Sequence, residues 1–317
     1  MIFPLICAVA FIVPSTHARS ITVKDKMGRE VSIEIPVKRA VLFETYELVP
    51  ALGTWDRIVG ISRWAYENTL IKAAMPGIRK RIPSVGTGMN VNIEALLKLR
   101  PDLVIIWAVR PEVIQAMESR GIKVIAVYPE SLGELYEVIR LHGRLFGKER
   151  RAEEVIRMME KVLDLIRSRV KDRAKRKVLW LWSKPTRVSG GIGIQNELIG
   201  IVGGTNPASY IRSRYPEVSL ERISMWDPDL IFIWGNARYG PEDILRNPQW
   251  RRIRAVKEGD VFKAPEWSTW SPRLALIALW MAMKAHPEAF RGMDFRRMAD
   301  EFYRSCFGIP YKEGAKI

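Results

Sequence analysis

The residues that could do chemistry in this chain are mostly aromatic, and they fall at one kind of place. Each apolar run that reads as a strand is followed by a short set of rings and polar side chains. In the first half these are Glu44, Thr45 and Tyr46; Arg63 and Trp64; Gly86 and Thr87; and Trp107. In the second half they are Trp182, Arg187 and Trp234, then Glu266, Trp267, Trp270 and Arg273. Open α/β sheets bind ligands beyond the carboxyl ends of their strands. Stacking faces beside guanidinium groups suit a large, flat, partly anionic organic ligand. The expected ligand-binding set is therefore Tyr46, Trp64, Thr87, Trp107, Trp182, Arg187, Trp234, Trp267 and Arg273, with Trp250 and Trp280 expected in the core.

Groupings that would make an enzyme are not visible. Ser189-Gly190-Gly191-Ile192-Gly193 precedes a helix, and helix N-termini attract anions, but Asn196 stands where a dinucleotide fingerprint needs its last glycine. His142 and His286 sit singly in helical segments, and there is no Ser-His-Asp set, zinc-helix motif or phosphate loop. The two cysteines, Cys7 and Cys306, make neither a disulfide framework nor a metal site. No catalytic residue, no protein-held metal and no intrinsic cofactor are expected.

The elements that position these residues follow from hydrophobic periodicity. Arg39 to Phe43, Ile58 to Ile61, Leu103 to Trp107 and Lys123 to Tyr128 are apolar strands alternating with helices at Leu48 to Leu52, Ile93 to Leu99 and Glu112 to Ser119. Near-continuous apolar strands between helices indicate parallel α/β layering. The segment Ile93 to Trp107 recurs 127 residues later as Leu220 to Trp234, with Glu94 matching Glu221 and Trp107 matching Trp234. The repeated unit is helix, Pro-Asp turn, buried strand and terminal Trp, which implies two similar α/β lobes. Between them, Glu149 to about Arg173 carries apolar residues at steps of three and four. A helix of that length spans roughly 38 Å, enough to join two lobes. The expected organisation is a signal segment at 1–18, a first lobe at 19–145, a linking helix at 146–176 and a second lobe at 177–317.

Composition narrows the class. The chain has 317 residues, 48% of them hydrophobic, which closes substantial cores and excludes disorder over its length. Beyond the first 18 residues the longest strongly apolar run is Leu274 to Met283, shorter than a spanning helix needs. Lys and Arg at 51 against Asp and Glu at 35 give a net charge of +16. Nucleic acid, an anionic membrane face and anionic small molecules are the partners such charge attracts. Much of it, however, is interleaved with Glu along the central helix as a solvated face. Met1 to Ala18 is apolar with small residues at Thr16 and Ala18, as an export signal would be, though no positive residue precedes Arg19. An extracytoplasmic location is expected, cleaved or membrane-anchored, and export argues against nucleic acid.

Taken together, Ala51-Leu52-Gly53 to Ile61, Gly88-Met89-Asn90 with Asn92-Ile93-Glu94, Pro101 to Ile105, Ser189-Gly190 with Ile194-Gln195-Asn196, Gly203-Gly204, Val218-Ser219 with Glu221, and Ser271-Pro272-Arg273 make residues 21 to 308 resemble the substrate-binding proteins of ABC importers for ferric siderophores, haem and cobalamin. The resemblance implies two α/β lobes joined by one long helix, with a ligand cleft between them and little hinge motion. It implies a monomeric receptor that hands its ligand to a permease served by a cytoplasmic ATPase. Glu94 and Glu221 match the acids that dock such receptors on the permease. Trp107 matches a stacking Trp of the vitamin B12 receptor, and Trp64 falls on an aromatic there. Gly86 replaces another of its cleft tryptophans, which tells against cobalamin. Tyr46 matches a position where some relatives contact their ligand. The expected ligand is an iron-containing chelate: a ferric siderophore first, haem second and cobalamin third. An enzyme on a related two-lobe fold and a basic nucleic-acid-binding protein are the alternatives from other classes.

Overall fold

The computed structural model describes residues 19–312, so the expected signal segment lies outside the described residues. The chain opens with an antiparallel hairpin, β1 (Arg19–Lys24) and β2 (Glu30–Ile35). The carboxylate of Asp25 holds its turn by accepting from the backbone N–H groups of Met27 and Arg29 at 2.9 and 3.1 Å. Val23, Val31 and Ile33 face inward while their neighbours are exposed, the alternation of a one-sided ribbon. The periodicity reading placed no strand before Arg39, so this hairpin is an addition to the expected fold.

The first parallel sheet runs β4 (Ile58–Ile61), β3 (Ala40–Leu42), β7 (Leu103–Trp107), β8 (Val124–Val127), with a small antiparallel ribbon of β5 (Gly86–Thr87) and β6 (Asn90–Val91) beside it. The second runs β10 (Gly204–Thr205), β9 (Arg176–Leu181), β11 (Leu230–Ile233), β12 (Val261–Lys263), again all parallel. The strands of both sheets are nearly all buried, because helices cover both faces.

The internal repeat has a structural cause in its Pro-Asp turn. Asp102 accepts from the backbone N–H groups of Lys38 and Arg39 at 3.0 and 2.9 Å, just ahead of β3. Asp229 accepts from Lys177 N–H at 2.7 Å, at the start of β9. In both lobes the aspartate of the Pro-Asp turn just before one strand thus satisfies the leading edge of the neighbouring strand.

The helix Glu149–Val170 joins the lobes, 22 residues or about 33 Å long. Ala152, Val155, Ile156, Met159, Leu163, Ile166 and Val170 form its buried stripe. That stripe belongs to one continuous core containing Leu48, Leu135 and Ile139 of the first lobe and Trp180, Phe232 and the helix Leu274–Ala285 of the second. The last of these is buried from Leu274 to Ala282 with Trp280 among its buried residues, and only Met283 and Lys284 near its end are half-buried. Arg151 adds a polar tie: Nε donates to Ala51 O at 2.9 Å, while Nη2 donates to Ser305 O and Cys306 O at 2.8 Å each. The lobes therefore share a core rather than hanging on a bare strut. No helix of the described residues is long and apolar enough to cross a membrane.

Candidate functional site

The sheet order explains how the first lobe assembles its aromatic edge. β3 lies between β4 and β7. Trp64, in the short turn Arg63–Tyr66 after β4, and Trp107, the last residue of β7, therefore meet across the end of β3, with ring centroids 5.3 Å apart. The residues leaving β3 at that point are Glu44, Thr45 and Tyr46. Thr45 has φ of 56°, a left-handed conformation that is costly for a β-branched residue. Its hydroxyl donates to Glu44 O at 2.6 Å and pairs with His142 Nε2 at 3.0 Å. Burial drives the His142 pKa down to about 3, so the imidazole is neutral there.

Trp270, on the segment after β12, brings the second lobe onto this edge. Its ring lies 5.8 Å from Trp107 and 4.6 Å from Tyr128, which follows β8, edge-on to both. Tyr128 and Tyr215 join the lobes hydroxyl to hydroxyl at 3.0 Å. Tyr215 packs edge-on against Trp182 at 4.5 Å, and Trp182 meets Trp234 at 5.3 Å. Seven rings thus run from Trp64 through both lobes to Trp234, all beyond the carboxyl ends of the parallel strands.

Charge lies at the rim of this run. The Arg214 guanidinium sits 4.5 Å over Tyr128 and pairs with Glu130, which also takes Lys26 Nζ at 3.0 Å. Burial pushes the Glu130 carboxyl up, but hydrogen bonds from Arg214 and Lys26 outweigh it and hold the group below the usual carboxylate range. Exposed Arg187 lies 5.8 Å over Tyr215. Burial raises the phenol pKa of Tyr46, so Tyr46 stands as a phenol and not a phenolate.

Of the expected set, Trp64, Trp107, Trp182 and Trp234 join in one ring system, Arg187 lies at its edge, and Tyr46 packs on the core beside β3. Thr87 is buried, and its hydroxyl accepts from Asn90 N–H at 3.2 Å, closing the β5–β6 turn. Two expectations are revised by placement. Arg273 is fully buried, with its Nε donating to Glu47 Oε2 at 2.9 Å and Nη1 to Thr69 Oγ1 and Tyr303 OH at 3.2 and 3.3 Å. Its charge is spent inside the protein. Trp267 is buried as well, stacked on Phe295 at 6.4 Å and covered by the Arg273 guanidinium. Both follow β12, as expected of cleft residues, but their side chains turn to the C-terminal helix Phe295–Phe307. Tyr128, Trp270, Tyr215 and Arg214 were missing from the set, although Trp270 was noted among the residues after a strand. Tyr128 closes a strand and obeys the same rule as Trp107, whereas the loop carrying Tyr215 gives no such signal.

Glu94 and Glu221 occupy equivalent places. Both are exposed in the first turn of their helices, Ile93–Lys98 and Leu220–Trp226. Each helix is capped two residues earlier, Asn92 Oδ1 accepting from Ala95 N–H at 2.9 Å and Ser219 Oγ from Arg222 N–H at 3.3 Å. Among the described residues no cluster of three or more His, Cys, Asp or Glu could hold a metal ion.

Comparison with known proteins matches this architecture. A molybdate-binding protein of Haemophilus influenzae is 25% identical, over 92% of this chain and 92% of its own length. The Helicobacter pylori protein CeuE, solved as a nickel–histidine complex, superposes with a TM-score of 0.82 and 31% identity, covering 92% of this chain and 96% of its own. A vitamin B12-binding protein of Yersinia pseudotuberculosis is 25% identical over 60% of this chain and 66% of its own length. The family model for periplasmic binding proteins matches residues 40–266, the span that holds both sheets and the joining helix, and the chain belongs to that family, the solute receptors of ABC importers.

Proposed function

We propose that this protein is an exported, non-enzymatic receptor that captures a metal chelate between its lobes and delivers it to a membrane permease. The observation that carries this reading is the run of seven rings crossing from Trp64 to Trp234. Ring faces and edges at that density grip an organic shell, while the absence of charge pairs among them leaves the metal to its own ligands. The solutes named for the relatives, molybdate, vitamin B12 and a nickel–histidine complex, all contain a metal. An anionic iron chelate ranks first, haem second and cobalamin third. Arg187 and Arg214 at the rim attract negative charge, although Arg273 no longer contributes to that preference. The lobes are taken as residues 19–145 and 177–317, joined by 146–176, and the receptor acts as a monomer. Glu94 and Glu221 are the docking acids of the two lobes.

Quenching of tryptophan fluorescence tests this directly, with a ferric tris-catecholate, haem, cyanocobalamin, nickel bis-histidine and molybdate as the panel. Saturable quenching by the ferric complex at micromolar concentration or below is the expected result. Failure of every metal-containing probe to bind would overturn the receptor reading.

A further inference from the structure

One polar group on the first lobe's aromatic edge has no partner that the fold explains. Glu44 is only 7% exposed, and its Oε1 has no hydrogen-bond partner among the described residues. The same is true of the indole Nε1 of Trp107. Glu44 follows the end of β3 and Trp107 closes the neighbouring β7, where the Trp64 and Trp107 rings meet. A methyl group on Gly88 would stand 3.3 Å from Glu44 Oε1, so the loop after β5 passes close by the carboxyl with no side chain to intervene. Buried polar atoms in native proteins are nearly always paired, and one left unpaired costs stability. Two such atoms at the carboxyl ends of neighbouring strands, where open α/β sheets bind ligands, call for a functional cause.

We propose that Glu44 and the indole N–H of Trp107 form a donor pair that grips acceptor oxygens of the bound chelate. This rests on the receptor reading and specifies the ligand's chemistry at this depth: a metal complex that turns oxygens outward, as catecholates, hydroxamates or carboxylates do. The indole nitrogen can only donate. Glu44 can also donate when its carboxyl holds a proton, the form that burial without a compensating cation favours. Burial raises its pKa well above the ordinary value. The charged groups near this strand end offer no compensating cation: Arg273 is taken by Glu47, His142 is neutral, and Tyr46 is a phenol. A neutral carboxylic acid in an apolar site donates a hydrogen bond to an anion and presents no negative charge to repel it. Both atoms are shut from solvent in the free protein, so the strand end must open for the ligand to reach them.

The test uses the full-length receptor, with a ferric tris-catecholate as the oxygen-rich probe and cyanocobalamin as a second chelate. Glu44→Leu should weaken binding of the ferric complex by at least about tenfold, the scale of one hydrogen bond to a charged group. Glu44→Gln, which keeps a donor without charge, should recover most of that loss. Trp107→Phe, which keeps the ring and removes the N–H, should weaken binding in the same direction. A second measurement separates recognition from folding: Glu44→Leu should raise the melting temperature of the free protein, because it removes an unpaired buried polar group. Wild-type affinity in Glu44→Leu would overturn the proposal. So would a Gln variant as weak as Leu, which would mark a carboxylate serving a cation, or a melting temperature that falls, which would mark Glu44 as part of the fold. Binding of cobalamin without the ferric complex would overturn this inference while leaving the receptor reading standing. Binding of neither would remove both.

Discussion

Arg273 and Glu47 stand 226 residues apart in the chain and hold each other in the interior, Nε donating to Oε2 at 2.9 Å. Glu47 precedes the helix Leu48–Leu52 of the first lobe, and Arg273 precedes Leu274–Ala285 of the second. The pair therefore pins the lobes together beneath the aromatic edge, and Asn68 adds a bond to Glu47 Oε1 at 2.7 Å. A clamp here, with a core continuous along Glu149–Val170, would restrain hinge motion between the lobes.

Breaking that clamp from one side leaves a buried charge unpaired. Arg273→Met or Glu47→Leu alone should each cost about 3 to 5 kcal/mol of stability. The double variant should recover much of it, since two apolar side chains replace two desolvated ions. Denaturant titration of all four proteins measures the coupling. Additive single and double losses would show that the two residues act separately.

His142 makes stability depend on pH with a definite sign. Its folded pKa is depressed to about 3 from an ordinary value of 6.5, so between those values the unfolded chain binds a proton that the folded chain refuses. Stability is then full above pH 6.5 and falls as the pH drops, by at most about 1.4 kcal/mol per unit. His142→Gln keeps a partner for the Thr45 hydroxyl and removes the titration. Denaturation midpoints at pH 7 and pH 5 should fall less in the variant than in the wild type, and an equal fall would sink the assignment.

How far these contacts were readable from sequence depends on how local they are. Ile58–Ile61 and Leu103–Trp107 emerge where periodicity puts them, and the repeat is real because Asp102 and Asp229 do the same work on neighbouring strands. Trp64 and Trp107, and Trp182 and Trp234, each singled out by strand-end position, stand in ring contact in the structure. The same rule misplaced Arg273 and Trp267, since a side chain's direction depends on partners such as Glu47 and Phe295 that lie far off or on another element. The β1–β2 hairpin escaped notice because its inward face holds only a few apolar residues, too short an alternation to stand out beside the parallel strands.

Tyr128 and Tyr215 should report on the opening of the cleft. Their hydroxyl contact at 3.0 Å is among the direct bonds between lobes at the rim. Tyr215→Phe removes it while keeping the ring against Trp182, so global stability should change by no more than about 1.5 kcal/mol. Backbone hydrogen exchange should nevertheless quicken on both sides, around residues 125–131 and 211–218, because the two segments lose a common restraint. Faster exchange confined to one of them would mean that the contact does not restrain opening.

Glu94 and Glu221 sit at repeat-equivalent positions, each in the first turn of a capped, exposed helix end. The repeat relates the lobes, so the two acids should flank the cleft on one outer face, each facing an arginine of one permease subunit. A single exposed ion pair is worth only about 0.2 to 1 kcal/mol, too little to hold the complex. Opposite charges placed in register do more for orientation than for affinity, aligning the cleft with the translocation path during encounter. Changing both to Ala should leave chelate binding within roughly twofold, well short of the 1.4 kcal/mol of a tenfold change. Transport by the reconstituted permease should fall sharply. Transport at the wild-type rate with both acids removed would end the docking assignment, and a loss of chelate affinity would place them in the cleft instead.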